Sequence, residues 1–219
     1  MATPGRIIVG SNKGSGGGGV ALVAAVLVVL AGAGGAGGAA LNSGAGGAGG
    51  VAPVTSVGVL KWDAKRSARG GDTEGAMRHL GVRIDKQALK QEPDCLENSF
   101  GEVRNFFARN PCTALDRLLL AVGDGAGNAS VVSVAWVTFP GRNQARQFDR
   151  VIGSHGSGDV RPLSTALTGM AEVSFTAAHY WSEIRDTTIA IAEAEPAAGS
   201  VDPELLDALA EVAAQLPRP

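Results

Sequence analysis

Residues 115–139 read LDRLLLAVGDGAGNASVVSVAWVTF, and this stretch decides the fold. An apolar run from Leu115 to Val122 is followed by the turn string Gly123-Asp124-Gly125-Ala126-Gly127-Asn128. A β-branched run from Val131 to Phe139 then begins. Glycine, aspartate and asparagine supply the unusual backbone angles of a tight reversal, so two apolar runs around them form a β-hairpin. Helical spacing flanks the hairpin on both sides. Phe100, Val103, Phe106 and Phe107 share one helix face before Asn110-Pro111 stops the chain. Ala145, Phe148, Val151 and Ile152 repeat the same offsets after Pro140-Gly141. Ser99-Phe100-Gly101-Glu102 has the capping-box pattern, in which hydroxyl and carboxylate satisfy each other's backbone N–H groups.

Downstream, residues 171–181 and 187–194 carry strand patterns joined by Glu183-Ile184-Arg185-Asp186, giving helix–strand–strand twice. Asp202 is a good N-cap, Pro203 suits the first helical position, and Leu205, Leu209, Val212 and Leu216 form a stripe ended by Pro217. The expected fold class is α+β, a four-stranded antiparallel sheet with helices packed on one face, in a domain spanning residues 76–219.

The amino-terminal part differs in kind. Of 32 glycines, 17 fall within the first 50 residues, and only Arg6 and Lys13 carry side-chain charge before Lys61. The glycines keep no three-residue period, which excludes collagen. The net charge of −2 excludes a generally basic nucleic-acid binder. Residues 20–30 (VALVAAVLVVL) are unbroken aliphatic, and the uncharged stretch runs on to Leu41. As a helix it would measure ~33 Å, enough for a ~30 Å hydrocarbon core.

The favoured reading is an uncleaved transmembrane anchor over residues 20–41, behind a cytoplasmic tail over 1–19. A cleaved signal peptide ending at Ala31-Gly32-Ala33 and a soluble low-complexity tail are the alternatives. Gly34 and Gly38 have G-x-x-x-G spacing, but in so glycine-rich a tract composition alone produces it. Arg6 and Lys13 favour an amino terminus inside, while Lys61, Lys65, Arg66 and Arg69 stand against it at the edge of the range that counts. The even pair of cysteines in the distal part supports its export. Residues 42–75 read as a Gly-rich and then basic linker, its basic cluster solvated beside the membrane or touching anionic headgroups.

Cys95 and Cys112 flank the first helix. That helix spans ~15 Å and the four residues from Cys95 to Asn98 can run ~13 Å back along it, so a disulfide is sterically allowed. Closing the 18-residue loop would contribute ~3 kcal/mol. Two unrelated thiols are the alternative. No CxxC or histidine cluster accompanies them, so neither a metal nor another cofactor is expected.

His155-Gly156-Ser157-Gly158-Asp159 places a base, a hydroxyl and a carboxylate in one glycine-rich loop. A hydrolase constellation usually converges from separate elements, and the G-x-S-x-G elbow lacks its first glycine because His155 stands there. A simple loop, or a ligand site using close backbone approach, fits better. His155, Ser157 and Asp159 are the candidate binding residues, with His179, which lies beside Tyr180 and Trp181 on an expected strand. No catalytic residue is assigned. Walker spacing and a basic–aromatic stacking series are both missing, and Asn128-Ala129-Ser130 is either a glycosylation acceptor or a turn.

Residues 106–113 (FFARNPCT), with Val134-Ala135-Trp136-Val137, His155-Gly156-Ser157-Gly158-Asp159 and His179-Tyr180, resemble uncharacterised single-pass membrane proteins of actinobacteria. The resemblance covers roughly residues 95–216 and implies an extracytoplasmic domain behind one anchor, with no activity attached. The expected function is a membrane-anchored binding or sensory module whose partners are the lipid bilayer and an envelope protein or ligand, not nucleic acid. An envelope hydrolase using the His155 loop and a non-catalytic envelope scaffold are the alternatives.

Overall fold

The computed structural model describes residues 7–11 and 57–219, with side chains from Leu60 onward. The central hairpin is there: β3 (Ala114–Gly123) pairs antiparallel with β4 (Ala129–Thr138), Leu120 opposite Val132. Asp124 makes the turn. Its carboxylate accepts from the N–H groups of Ala126 at 2.7 Å and Asn128 at 3.1 Å, and from the Asn128 amide at 2.6 Å. These bonds, the Asn128 amide first, hold the Asp124 carboxyl below its ordinary range. The Asn128 carbonyl oxygen in turn accepts from the Ser200 N–H at 2.9 Å, so this side chain acts as a turn brace.

The sheet is larger than the four strands expected. Five antiparallel strands run in the order β2 (Arg83–Glu92), β3, β4, β6 (Thr188–Ala198) and β5 (Tyr180–Arg185), and the segment β1 (Ile7–Ser11) pairs along the outer edge of β2. Strand β2 escaped the sequence pattern because RIDKQALKQE is mostly polar; among its side chains only Ala88 is buried. The expected strand over 171–181 is another correction. Residues 171–179 are irregular, β5 starts at Tyr180, and the reversal into β6 falls at Asp186-Thr187, with Asp186 at φ 58°.

Helices cover both faces of the sheet, not one. On the first face α1 (Val57–Arg69), α2 (Thr73–His79) and α5 (Pro203–Ala213) pack over Leu120, Val122, Val134, Trp136 and Ala192. On the second, α3 (Gly101–Arg109) and α4 (Arg142–Ile152) cover Leu115, Val137, Ile189 and Ile191. Phe106, Phe107, Phe139 and Phe148 meet there with centroids 4.9–6.2 Å apart. A 3-10 turn, Thr165–Thr168, follows on the same face. The physical reason is visible in β4, where apolar side chains point both ways, as in strands buried on both sides.

Helix α1, in the layer over the first face, comes from chain expected to be linker. Residues 57–69 form α1, with Ala64 and Ala68 fully buried. Lys61 and Lys65 both pair with Glu211 of α5, the first at 2.6 Å, and Arg69 Nε donates to Gln215 at 2.8 Å. Arg66 keeps an outward position, stacked over Trp62 at 4.1 Å. The cluster is therefore committed mainly to the fold.

Cys95 and Cys112 form a disulfide with Cα atoms 6.2 Å apart, closing a loop around α3. The capping box is not formed. Phe100 occupies the N-cap without a side-chain bond, and Ser99 Oγ donates to the Leu96 carbonyl instead. Asp202 does cap α5, accepting from the Glu204 N–H at 2.9 Å. Among the described residues no helix is long and apolar enough to cross a membrane. The anchor expected over residues 20–41 lies outside the described residues.

Candidate functional site

On the second face, β6 changes character along its length. Ile189 and Ile191 enter the aromatic core, and the next side chains on that face are Glu193 and Glu195, 4% and 7% exposed. Buried carboxylates need donors. The irregular segment 171–179 provides them: the Thr176 N–H and hydroxyl reach Glu195 at 2.8 and 2.5 Å, and the Ala177 N–H donates to Glu193. To present that N–H, Ala177 adopts φ 59°, an uncommon left-handed angle for a residue with a Cβ.

Asp159 arrives from another direction. Residues 157–161 run beside 98–101: Phe100 N donates to Asp159 O at 3.0 Å and Arg161 N to Asn98 O at 2.7 Å. Arg117 of β3, almost fully buried, pins both strips. It donates to Arg161 O at 2.7 Å and Asn98 Oδ1 at 2.9 Å, and it pairs with Glu92. The Asp159 carboxylate accepts one bond from the Val160 N–H at 2.6 Å.

Two hollows of about 390 and 360 Å³ open over this face. They share Phe100, Asp159, Phe175 and Glu193 as common walls, so they form one cleft with two lobes. Burial raises the Asp159 carboxyl to about 6, against the Val160 bond that lowers it. Burial likewise raises Glu193 to about 7; the Ala177 bond opposes this, and the charges of Asp159 and Glu195 add to it. Tyr180 lines the first lobe, with its hydroxyl out of solvent and beside Ser182. Burial above all pushes that phenol well above the ordinary tyrosine range; a Ser182 hydrogen bond opposes this, and the charges of Asp159, Asp149 and Glu193 add to it.

The residues singled out from sequence are divided by the fold. His155 is exposed and lines the rim of the first lobe, and Asp159 lines both lobes. Ser157 is 8% exposed, and its hydroxyl contacts only the carbonyl of Gly158, at 3.4 Å. Its carbonyl oxygen instead caps α3, accepting from Glu102 and Val103 at 2.6 and 3.2 Å. Among the described residues no hydrogen bond joins His155, Ser157 and Asp159.

His179 is not on a strand. It precedes β5 and faces α5, where Nδ1 meets Asp207 Oδ1 at 2.7 Å, on the far side of the sheet from Asp159. The sequence reading missed Glu193, Tyr180, Phe100 and Phe175. One signal was present: in TIAIAEAE two acids replace isoleucine on the same alternating face.

Among the described residues no three His, Cys, Asp or Glu side chains converge to hold a metal ion. The chemistry open to the cleft is hydrogen bonding and charge pairing by two carboxyls able to lose or hold a proton near neutral pH, between aromatic walls. No family model matches the chain, and neither does any curated protein or solved structure.

Proposed function

We propose that this chain is a binding module, tethered to a membrane through residues 20–41, whose ligand sits in the two-lobed cleft over β5 and β6. One observation carries the reading: the carboxyls of Asp159 and Glu193 come from distant segments to line one cavity, beside Tyr180. Each carboxylate has one oxygen held by a backbone N–H and the other left for a partner, and burying such acceptors costs stability, so two of them on one hollow are organised to pair with something else. The tether rests on the aliphatic block and on the resemblance to single-pass actinobacterial proteins. A hydrolytic role for Ser157 finds no support, because its hydroxyl is buried away from His155.

The test is a small-fragment screen by NMR on the folded chain, with amines, sugars and carboxylates as probes. Shifts clustering on Phe100, Phe175 and Glu193 are expected. Hits confined to the Trp62 surface of α1 would remove the cleft as the binding site. Amino-terminal sequencing of the mature protein tests the tether separately: a start near Gly34 would replace the anchor with a cleaved signal.

A further inference from the structure

The structure assigns a ligand class to this cleft: we infer that it takes a protonated primary or secondary amine, with its apolar substituent along Phe100 and Phe175. This inference rests on the cleft being the binding site. The lining carries the carboxyls of Asp159, Glu172 and Glu193 and contains no lysine or arginine. Arg161 lies nearby, over the Phe100 ring at 5.3 Å, but it is not a lining residue.

Two carboxyls converge where the two lobes adjoin. Asp159 and Glu193 form the shared wall, and Tyr180 borders the first lobe beside them. Each carboxylate already accepts a backbone N–H on one oxygen, from Val160 and from Ala177. Each has a second oxygen for a ligand, because an ionised carboxylate offers about four lone-pair sites.

An ammonium group with two or three N–H donors satisfies such acceptors and offsets their charge, which a neutral hydroxyl group does not. The aromatic walls favour the same occupant, since a cation and its adjoining methylenes are attracted to ring faces. A bare divalent ion fits poorly, because hard cations seek six or more oxygen ligands in a compact shell and, among the described residues, no three His, Cys, Asp or Glu side chains converge to hold one. An anionic ligand would meet three carboxyls and no lining lysine or arginine.

The test uses 2-phenylethylamine and its near-isostere 2-phenylethanol, titrated into the folded chain by calorimetry and followed by NMR at pH 7.5. Saturable binding of the amine is expected, with shifts at Phe100, Phe175 and Tyr180. Affinity should fall at least tenfold in Glu193→Gln, an isosteric change that still accepts the Ala177 N–H. Asp159→Asn should act in the same direction, and thermal unfolding of both variants checks that they fold.

Equal binding of amine and alcohol, unchanged by Glu193→Gln, would overturn the ammonium assignment and leave the cleft as a binding site. Absence of any cleft shift with the amine would overturn the assignment as well. The broader reading fails only if the fragment screen also leaves the cleft untouched.

Discussion

The carbonyl oxygen of Ser157 accepts the N–H of Glu102 at 2.6 Å, and through this bond a glycine-rich loop caps a helix that begins 56 residues earlier. The two backbones touch at Gly101 and Gly158. A Cβ on Gly101 would stand 2.6 Å from the Ser157 oxygen, and one on Gly158 would collide with the Phe100 carbonyl. Both residues also have positive φ, 64° and 92°. The close approach that glycine permits in this loop is therefore used by α3, and it carries Asp159 into the cleft.

Gly158→Ala should destabilise the protein by about 2–4 kcal/mol, combining the positive-φ cost with overpacking. Gly156→Ala is the internal comparison. It also has positive φ, 79°, but nothing lies within 4 Å of its Cβ, so about 1 kcal/mol is expected. Urea unfolding of the two variants measures the difference, and equal losses would show that the interlock contributes nothing.

Reducing the Cys95–Cys112 bond releases a loop with a sequence separation of 17. The expected cost is ~3 kcal/mol, or about 6–12 °C in Tm for a unit of this size. Calorimetry of the chain with and without reductant checks this. A Cys112→Ala variant should melt near the reduced protein.

Stability should depend on pH through Asp159 and Glu193. Both carboxyls are raised in the folded state, to about 6 and about 7, so between their ordinary values and these the native protein holds more protons than the unfolded chain. Their contribution is therefore full below about pH 4 and is lost as pH rises through 6 and 7. Each carboxyl adds a slope of at most ~1.4 kcal/mol per pH unit. Urea midpoints from pH 5 to 8 should fall for the native chain more steeply than for the Asp159→Asn/Glu193→Gln double variant. Parallel curves would remove the two carboxyls as the cause.

Arg117→Leu should cost roughly 1–3 kcal/mol, because it leaves the Arg161 carbonyl and Asn98 Oδ1 without their donor while Glu92 keeps its pairing with Lys90. Hydrogen exchange offers a second readout. The N–H groups of Phe100 and Arg161, which join the two strips beneath the cleft, should lose protection before those of β4.

Local chemistry made much of the architecture legible. The Asp124 turn, the Asn110-Pro111 stop and the Asp202 cap each act within a few residues, so their patterns could be read without knowing the partners. The same logic misled at Ser99, where the capping pattern is intact but a carbonyl from residue 157 occupies the helix end. It also misled at α1 and β2. Lys61, Lys65 and Arg69 look solvated until α5 supplies Glu211 and the chain just beyond it Gln215. Likewise β2 is a mostly polar strand that exists because β3 pairs with it.

By itself, then, the sequence determined the central hairpin, helices α3, α4 and α5, and the pair of cysteines able to bridge. Each depends on periodicity, turn residues or short chain reach. The tertiary structure decided that the sheet is covered on both faces, that His155 and His179 lie on opposite sides, and that Asp159 meets Glu193 and Tyr180. Those relations depend on which strands pair and in what register, a choice made by packing free energy summed over the whole sheet. Asp159 and Glu193 stand 34 positions apart in the chain. Pairing β4 with β6 while residues 98–101 align with 157–161 brings them to one wall, and no local pattern encodes that meeting.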